Sequence, residues 1–394
     1  MAATSPSPSN ITPAHEYGHE PRPTLTPVEH LTVTFLVDNT IEWFTPLPAG
    51  FAHELRTHLH ELVPELDPET GVPVLDFERY CCGAHGFSAL IQTQTTPTAR
   101  THTTLFDTGP DSQSLPRNLR ALAVPPGAIE RVVLSHWHSD HSGGLLALLA
   151  ARAADGETAR DLEPSPCIVD VHPSRPHARG IAPPPYTTPI CRLKADPTFA
   201  QIAAAGARVE AHAEPHVVAG GGVYVSGEIP RVTSWEGGLP GAVRWVVEGG
   251  GGEGGEGKGR WVPEEHIMDE RYVAVDVVGK GLVIFSACSH AGIVNVVRHA
   301  VATFQRHIHM IIGGLHLASA DLAPRIAPTV HFLARTLRPA PDFVLPMHCT
   351  GFNAKLALAA ELGEGVVPAG VGHKIRVVGS RENERLMRPP TLFG

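Results

Sequence analysis

Between the apolar run Val132-Val133-Leu134 and the apolar run Leu145-Leu146-Ala147-Leu148-Leu149-Ala150, the chain reads Ser135-His136-Trp137-His138-Ser139-Asp140-His141-Ser142-Gly143-Gly144. The first flank reads as a buried strand and the second as a helix, so four candidate metal ligands share one strand-to-helix loop. His136 and His138, two apart in extended backbone, point the same way. Asp140 and His141 lie past the bend and can address a second ion. Neutral imidazoles with a carboxylate, and room left for water, suit Zn, Fe or Mn rather than Ca or Mg. The chain holds 24 histidines, so one stray pair would mean little, and a solvated His-rich loop is the plain alternative. The ordered His-x-His-x-Asp-His between a strand and a Gly-Gly helix start makes a metal site the reading.

Two ions need more ligands than one loop supplies, so other strand ends must contribute. Leu282 to Phe285 leads to Cys288 and His290, Met310 to Ile312 leads to His316, and Phe343 to Leu345 leads to His348. A histidine placed directly after a buried strand is rigidly held, as a ligand must be; a capped or supporting histidine has the same pattern. His290 and His348 are assigned as ligands, and His316 as a ligand or a supporting residue. Cys288 is either a thiolate ligand or a small apolar residue. Asp107, closing the strand Thr103–Phe106, is expected to orient the metal loop through hydrogen bonds. Asp269, ahead of the strand Tyr272–Val277, is a reserve ligand. His136, His138 and His290 are proposed for one ion and Asp140, His141 and His348 for the other, with Asp140 also available as a general base. In Ser226-Gly227-Glu228-Ile229-Pro230-Arg231, Glu228 and Arg231 are expected near the substrate, the guanidinium facing phosphate; an exposed turn with an ion pair is the alternative.

Because these ligands run from 136 to 348, one domain must assemble them, and it is placed at 30–380. Residues 1–29 read as a disordered Pro/Ser-rich arm without the apolar stretch of a secretory signal, and 381–394 as a tail. The Gly-rich stretch 248–259 reads as a flexible loop; it lacks the residue order of a phosphate cradle. Further strands are expected at Leu31–Val37, Phe87–Ile91 and Ile168–Val171, and helices at Pro116–Leu122, Gly292–Phe304 and Pro324–Leu337. Helical spacing of Phe51, Leu55, Leu59 and Leu62 predicts a helical insert over Ala49–Val63. Alternating strands and helices fit an α/β sandwich. A net charge of −9 gives no general basic footprint for nucleic acid. No apolar run approaches the ~20 residues of a membrane helix. Six irregularly spaced cysteines form no disulfide framework, so a small-molecule enzyme in the reducing cytoplasm is expected, with no nucleic-acid or membrane partner.

The His-x-His-x-Asp-His loop resembles the signature of the metallo-β-lactamase superfamily. Val37-Asp38-Asn39, Gly86 to Ile91, Leu105 to Gly109, Ser226 to Arg231, Cys288 to Asn295, Gly313 to Leu317 and His348-Cys349-Thr350-Gly351 occur in order. Together they resemble the branch of dihydropterin methyl-(ribofuranosyl)aminobenzene-phosphate synthases, in which a pterin-methyl diphosphate is joined to an aryl amine with release of diphosphate. The resemblance spans about residues 31 to 378 and implies an αββα sandwich of two mixed sheets flanked by helices, with a mono- or dinuclear centre. The chain departs from the branch at Ala84, Ala287 and Leu315, where Glu, Gly and Phe are usual. Superfamily members commonly bridge two ions with an Asp; here Ala287-Cys288-Ser289-His290 stands in that place, and either Cys288 or His290 takes the bridge. The implied function is a metal-dependent hydrolase or transferase acting on a phosphate- or diphosphate-bearing small molecule, pterin-like in kind, through a metal-bound hydroxide on one or two divalent ions, zinc foremost. Iron-dependent oxidation and a non-catalytic, metal-stabilised ligand-binding protein are the alternatives.

Overall fold

A computed structural model describes residues 24–158, 166–247 and 258–393. Twenty strands follow in chain order: β1 (His30–Val37), β2 (Phe51–Ala52), β3 (Ser88–Gln94), β4 (His102–Phe106), β5 (Arg131–Val133), β6 (Ile168–Val171), β7 (Arg179–Ile181), β8 (Cys191–Arg192), β9 (Arg208–Ala211), β10 (His216–Val218), β11 (Val223–Val225), β12 (Ala242–Val247), β13 (Gly259–Pro263), β14 (Val273–Val277), β15 (Gly281–Ser286), β16 (Ile308–Gly314), β17 (Leu337–Arg338), β18 (Phe343–Met347), β19 (Lys374–Val378) and β20 (Thr391–Leu392). The first large sheet has the order β2-β19-β1-β3-β4-β5-β6-β9 and the second β10-β11-β14-β15-β16-β18. Each is antiparallel at one end and parallel at the other, β4-β5-β6-β9 and β15-β16-β18 being the parallel runs.

The sheets pack face to face over Val33, Phe35, Phe106, Phe285, Ile312 and Leu345, all at or near zero exposure. Adjacent residues on the same strands, Ile284, Ile311 and Val344, pack outward against the helices Ile293–Phe304 and Phe352–Leu362. On the far side, Leu105, Val132 and Leu134 pack against the helices Ser114–Ala121 and Leu145–Thr158. Strands covered on both faces read as continuous apolar runs rather than alternating ones, as Leu282–Phe285 does. The result is four layers, helix, sheet, sheet, helix. The Ile293–Phe304 helix starts at Gly292, with φ of 97°, and the Glu236 carboxylate accepts from the Val294 and Asn295 N–H groups at 2.9 and 3.0 Å. That supplies two of the acceptors a helix start lacks.

Three expectations need correction. Ala49–Val63 is helical only in part: Phe51–Ala52 pairs with β19, and a short helical stretch follows through Glu54–Arg56 and Thr57–Glu61. The Pro324–Leu337 helix is present but starts earlier, running without a break through Ala320–Arg325, Ile326–His331 and Phe332–Thr336. Val28, placed in the arm, is fully buried and bridges to Val277, so the packed chain begins earlier than residue 30. The rest of the arm, residues 1–23, and the Gly-rich stretch 248–257 lie outside the described residues. The ends flanking that stretch, Val247 and Gly259, pair as the close of a β12–β13 hairpin. This hairpin belongs to a separate small sheet, β13-β12-β7-β8, which sequence patterning had not indicated.

Candidate metal centre

The carboxyl ends of β4, β5, β15, β16 and β18 meet at one edge of the sandwich. Asp107, directly after β4, organises the loop after β5. Its carboxylate accepts from Ser135 N–H and Ser135 O–H, each at 2.7 Å, and hydrogen-bonds His141 Nδ1 at 2.7 Å. Ser135 Oγ also hydrogen-bonds His136 Nδ1 at 2.8 Å. With their Nδ1 atoms engaged, His136 and His141 turn Nε2 inward, the arrangement by which supporting groups aim a metal-ligating imidazole.

The inward atoms form two groups. His136 Nε2 lies 2.9 Å from His138 Nδ1 and 3.2 Å from His290 Nε2. His141 Nε2 lies 3.2 Å from Cys288 Sγ, and Asp140 Oδ2 lies 3.5 Å from His141 Nε2 and 3.3 Å from His348 Nε2. His136, Cys288 and His290 present donor atoms all within 4.8 Å of one another, and so do Asp140, His141, Cys288 and His348. Cys288, rather than His290, is common to both groups.

The donor set fits divalent cations. Burial, reinforced by neighbouring imidazoles or Arg179, pushes His136, His138 and His290 well below the ordinary histidine range, so their lone pairs are available. Their ring nitrogens converge, His136 Nε2 facing both His138 Nδ1 and His290 Nε2. His290 Nδ1 is buried without a hydrogen-bond partner. Burial opposes charge on His141 and Asp140 as well. Their mutual attraction outweighs it, aided by Asp107 at His141 and His348 at Asp140, raising His141 and lowering Asp140. A carboxylate held so low is a ligand and a weak base.

Supporting residues come from segments where sequence spacing gives no signal. The Glu270 carboxylate accepts from His290 and Ala291 N–H at 2.7 Å each. Asp38 Oδ1 accepts from His348 N–H at 2.8 Å, and Asn39 Oδ1 lies 3.1 Å from His348 Nδ1. Asp107, Ser289, His316 and His348 all take left-handed backbone, with φ between 43° and 63°. Such strain gathers where surrounding structure over-determines a site. His316 packs its ring 4.4 Å from that of His290 and joins Cys288 and Cys349 in a third group of close donors.

Two sequence assignments fall outside this cluster. Asp269 accepts from Trp137 N–H at 2.7 Å and pairs with Arg179, so it braces the loop instead of ligating. Glu228 is exposed, and Arg231 donates to the carbonyls of Ile229 and His266; neither lines the cleft.

Above the cluster opens a cleft of about 430 Å³. One wall is apolar, formed by Ile181, Leu193, Leu239, Pro240 and Val243 on or beside the small sheet. Arg179, the one Arg or Lys among the lining residues, is held by Glu264 at 2.8 and 3.0 Å and by Asp269. His85 stands at the rim, largely exposed, its Nε2 3.8 Å from Asp140 Oδ2.

The profile of the metallo-β-lactamase superfamily matches residues 86–264. A Methanocaldococcus jannaschii protein named 7,8-dihydropterin-6-methyl-4-(β-D-ribofuranosyl)-aminobenzene-5'-phosphate synthase is 27% identical over 286 residues, 71% of this chain and 85% of its own length. An uncharacterized protein of the same organism is 26% identical over 298 residues, 75% of this chain and 93% of its own. Among solved structures, Tm1679, described as a metal-dependent hydrolase of the β-lactamase superfamily, superposes with a TM-score of 0.58 at 20% identity. That alignment covers 88% of this chain and 99% of Tm1679. Sequence match and αββα sandwich agree: this chain has the metallo-β-lactamase fold, and its residues 86–264 are similar to that superfamily.

Proposed function

We propose that this protein is a metal-dependent enzyme carrying out hydrolysis or group transfer on a phosphate- or diphosphate-bearing small molecule whose remainder is a flat ring system, as a pterin is. The observation that carries this reading is the pair of donor groups sharing Cys288 on the floor of an open cleft. The name of the 27% identical relative supports a phosphate-bearing, pterin-related substrate. His136, His138, Cys288 and His290 would hold one ion and Asp140, His141, Cys288 and His348 the other, and a thiolate among imidazoles favours zinc or iron over manganese. Divalent ions, when bound, acidify water and polarise a phosphoryl oxygen.

The chain's own residues set the rest. The wall of Ile181, Leu193, Leu239 and Val243 takes the face of a flat ring, covering it from water. With Arg179 doubly paired, the described lining residues offer no free guanidinium or ammonium, so anionic oxygens belong at the floor of the cleft. His85, in contact with solvent and close to Asp140 Oδ2, is placed to carry a proton off. All six cysteines are free thiols, which suits a reducing compartment such as the cytoplasm.

The test starts with elemental analysis of the full-length protein as isolated, followed by a panel of phosphate monoesters and diphosphates. The expected result is bound metal together with release of phosphate or diphosphate that stops on chelation, returns with zinc, and is lost in His136→Ala. Metal-free protein, or turnover indifferent to chelation, overturns the reading; a fully loaded protein inert across the panel removes its phosphate part.

A further inference from the structure

Cys288 and Cys349 come from strands that are not neighbours. β15 and β18 lie on either side of β16, in register at Ser286 with Gly313 and at Gly314 with Met347. Each cysteine stands two residues beyond its registered position, so the two flank the end of β16. That end is Gly313-Gly314, with no side chain to separate them. A Cβ added at Gly314 would stand 2.5 Å from Cys349 Sγ. Across this gap the two sulfurs approach to 3.6 Å, and both cysteines line the cleft.

We propose that this thiol pair is a site of oxidative modification, closed to a disulfide by hydroperoxides small enough to enter the cleft. One sulfur attacks the peroxide O–O bond and becomes a sulfenic acid as the first water leaves. The second sulfur displaces the sulfenic oxygen as the second water. An S–S bond forms and two S–H bonds and the O–O bond break; the thiols give up two electrons, and hydrogen peroxide takes them to become two waters. The product removes Cys288 from metal binding, because a disulfide sulfur is no longer the thiolate that ligates. Since Cys288 is the atom common to both donor groups, one modification weakens both. This consequence rests on the metal centre proposed above; the disulfide itself does not.

The experiment exposes the full-length, zinc-loaded protein to hydrogen peroxide, following released zinc with a chelating dye and mapping cross-linked peptides by mass spectrometry. The expected result is a peptide pair joining Cys288 to Cys349, released zinc of at least one ion per chain rising in step with it, and recovery of both on reduction. Cys349→Ser, checked for native folding by circular dichroism, gives no such pair and keeps its zinc over the same exposure. Failure to find the linked peptides, or linkage with zinc fully retained, overturns the proposal. A preparation that binds no zinc before oxidation refutes the centre instead, and leaves the peptide map to decide the disulfide.

Discussion

Asp107 carries more of the centre's geometry than any single ligand. Three hydrogen bonds at 2.7 Å converge on a carboxylate of zero exposure, fixing Ser135 and, through His141 Nδ1, the direction of a ligand. Asp107→Ala leaves the Ser135 N–H and a buried imidazole nitrogen unpartnered. Zinc affinity should fall about 10- to 100-fold, the usual consequence of losing such a support, as read by competition with a chelating dye. An unchanged affinity would mean that the loop is held by its other contacts. The proposed ligands could be picked out in the sequence because each follows a buried strand or sits in the His-x-His-x-Asp-His loop. Of their supports only Asp107, at the close of a strand, could be. Glu270 and Asp38 act through bonds to backbone far away in the chain and Asn39 through the His348 ring, with no spacing to announce them. Arg231 misled because an arginine after a turn says nothing about which carbonyls will claim it.

At the scale of elements, β6 is tied to its neighbours by charge as well as by its ladder. Asp170 is buried with Arg131, Arg271 and His216 on its carboxylate, at 2.9, 2.8 and 2.7 Å. Burial works against its ionisation, but His216 and Arg271 outweigh that and bring it down to about 2. A carboxyl lowered on folding stabilises the protein above its unfolded value near 4, and that contribution disappears as pH falls towards 2. Asp170→Asn should therefore cost about 3–5 kcal/mol at neutral pH by leaving Arg271 buried and unpaired, measured by urea unfolding. Its deficit should shrink in acid between about pH 4 and 2. Strands such as Leu282–Phe285 were legible because burial on both faces selects an unbroken apolar run. The insert misled for a tertiary reason. Phe51 pairs beside β19 with its ring 5.4 Å from Phe343, which overrides the local helical spacing. The small sheet was illegible because β7 and β8 span three and two residues, too few for any period to show.

Taken as a whole molecule, neither layer holds a complete donor set. His136, His138, Asp140 and His141 hang from the first sheet, while Cys288, His290 and His348 follow strands of the second. A ligand that binds only the folded chain adds stability by mass action, about 2.7 kcal/mol at a hundredfold excess over its dissociation constant. Stripping zinc with a chelator should accordingly lower the melting midpoint by a few degrees, about 1 °C per kcal/mol at this size. Amide exchange should quicken most at the ends of β5, β15 and β18 nearest the cleft; uniform acceleration along those strands would contradict the picture. An ion gripped from both sides is a rivet through the seam of the sandwich. Cells that withhold the metal would then face a protein that is looser as well as idle, and its turnover by proteases would follow zinc supply.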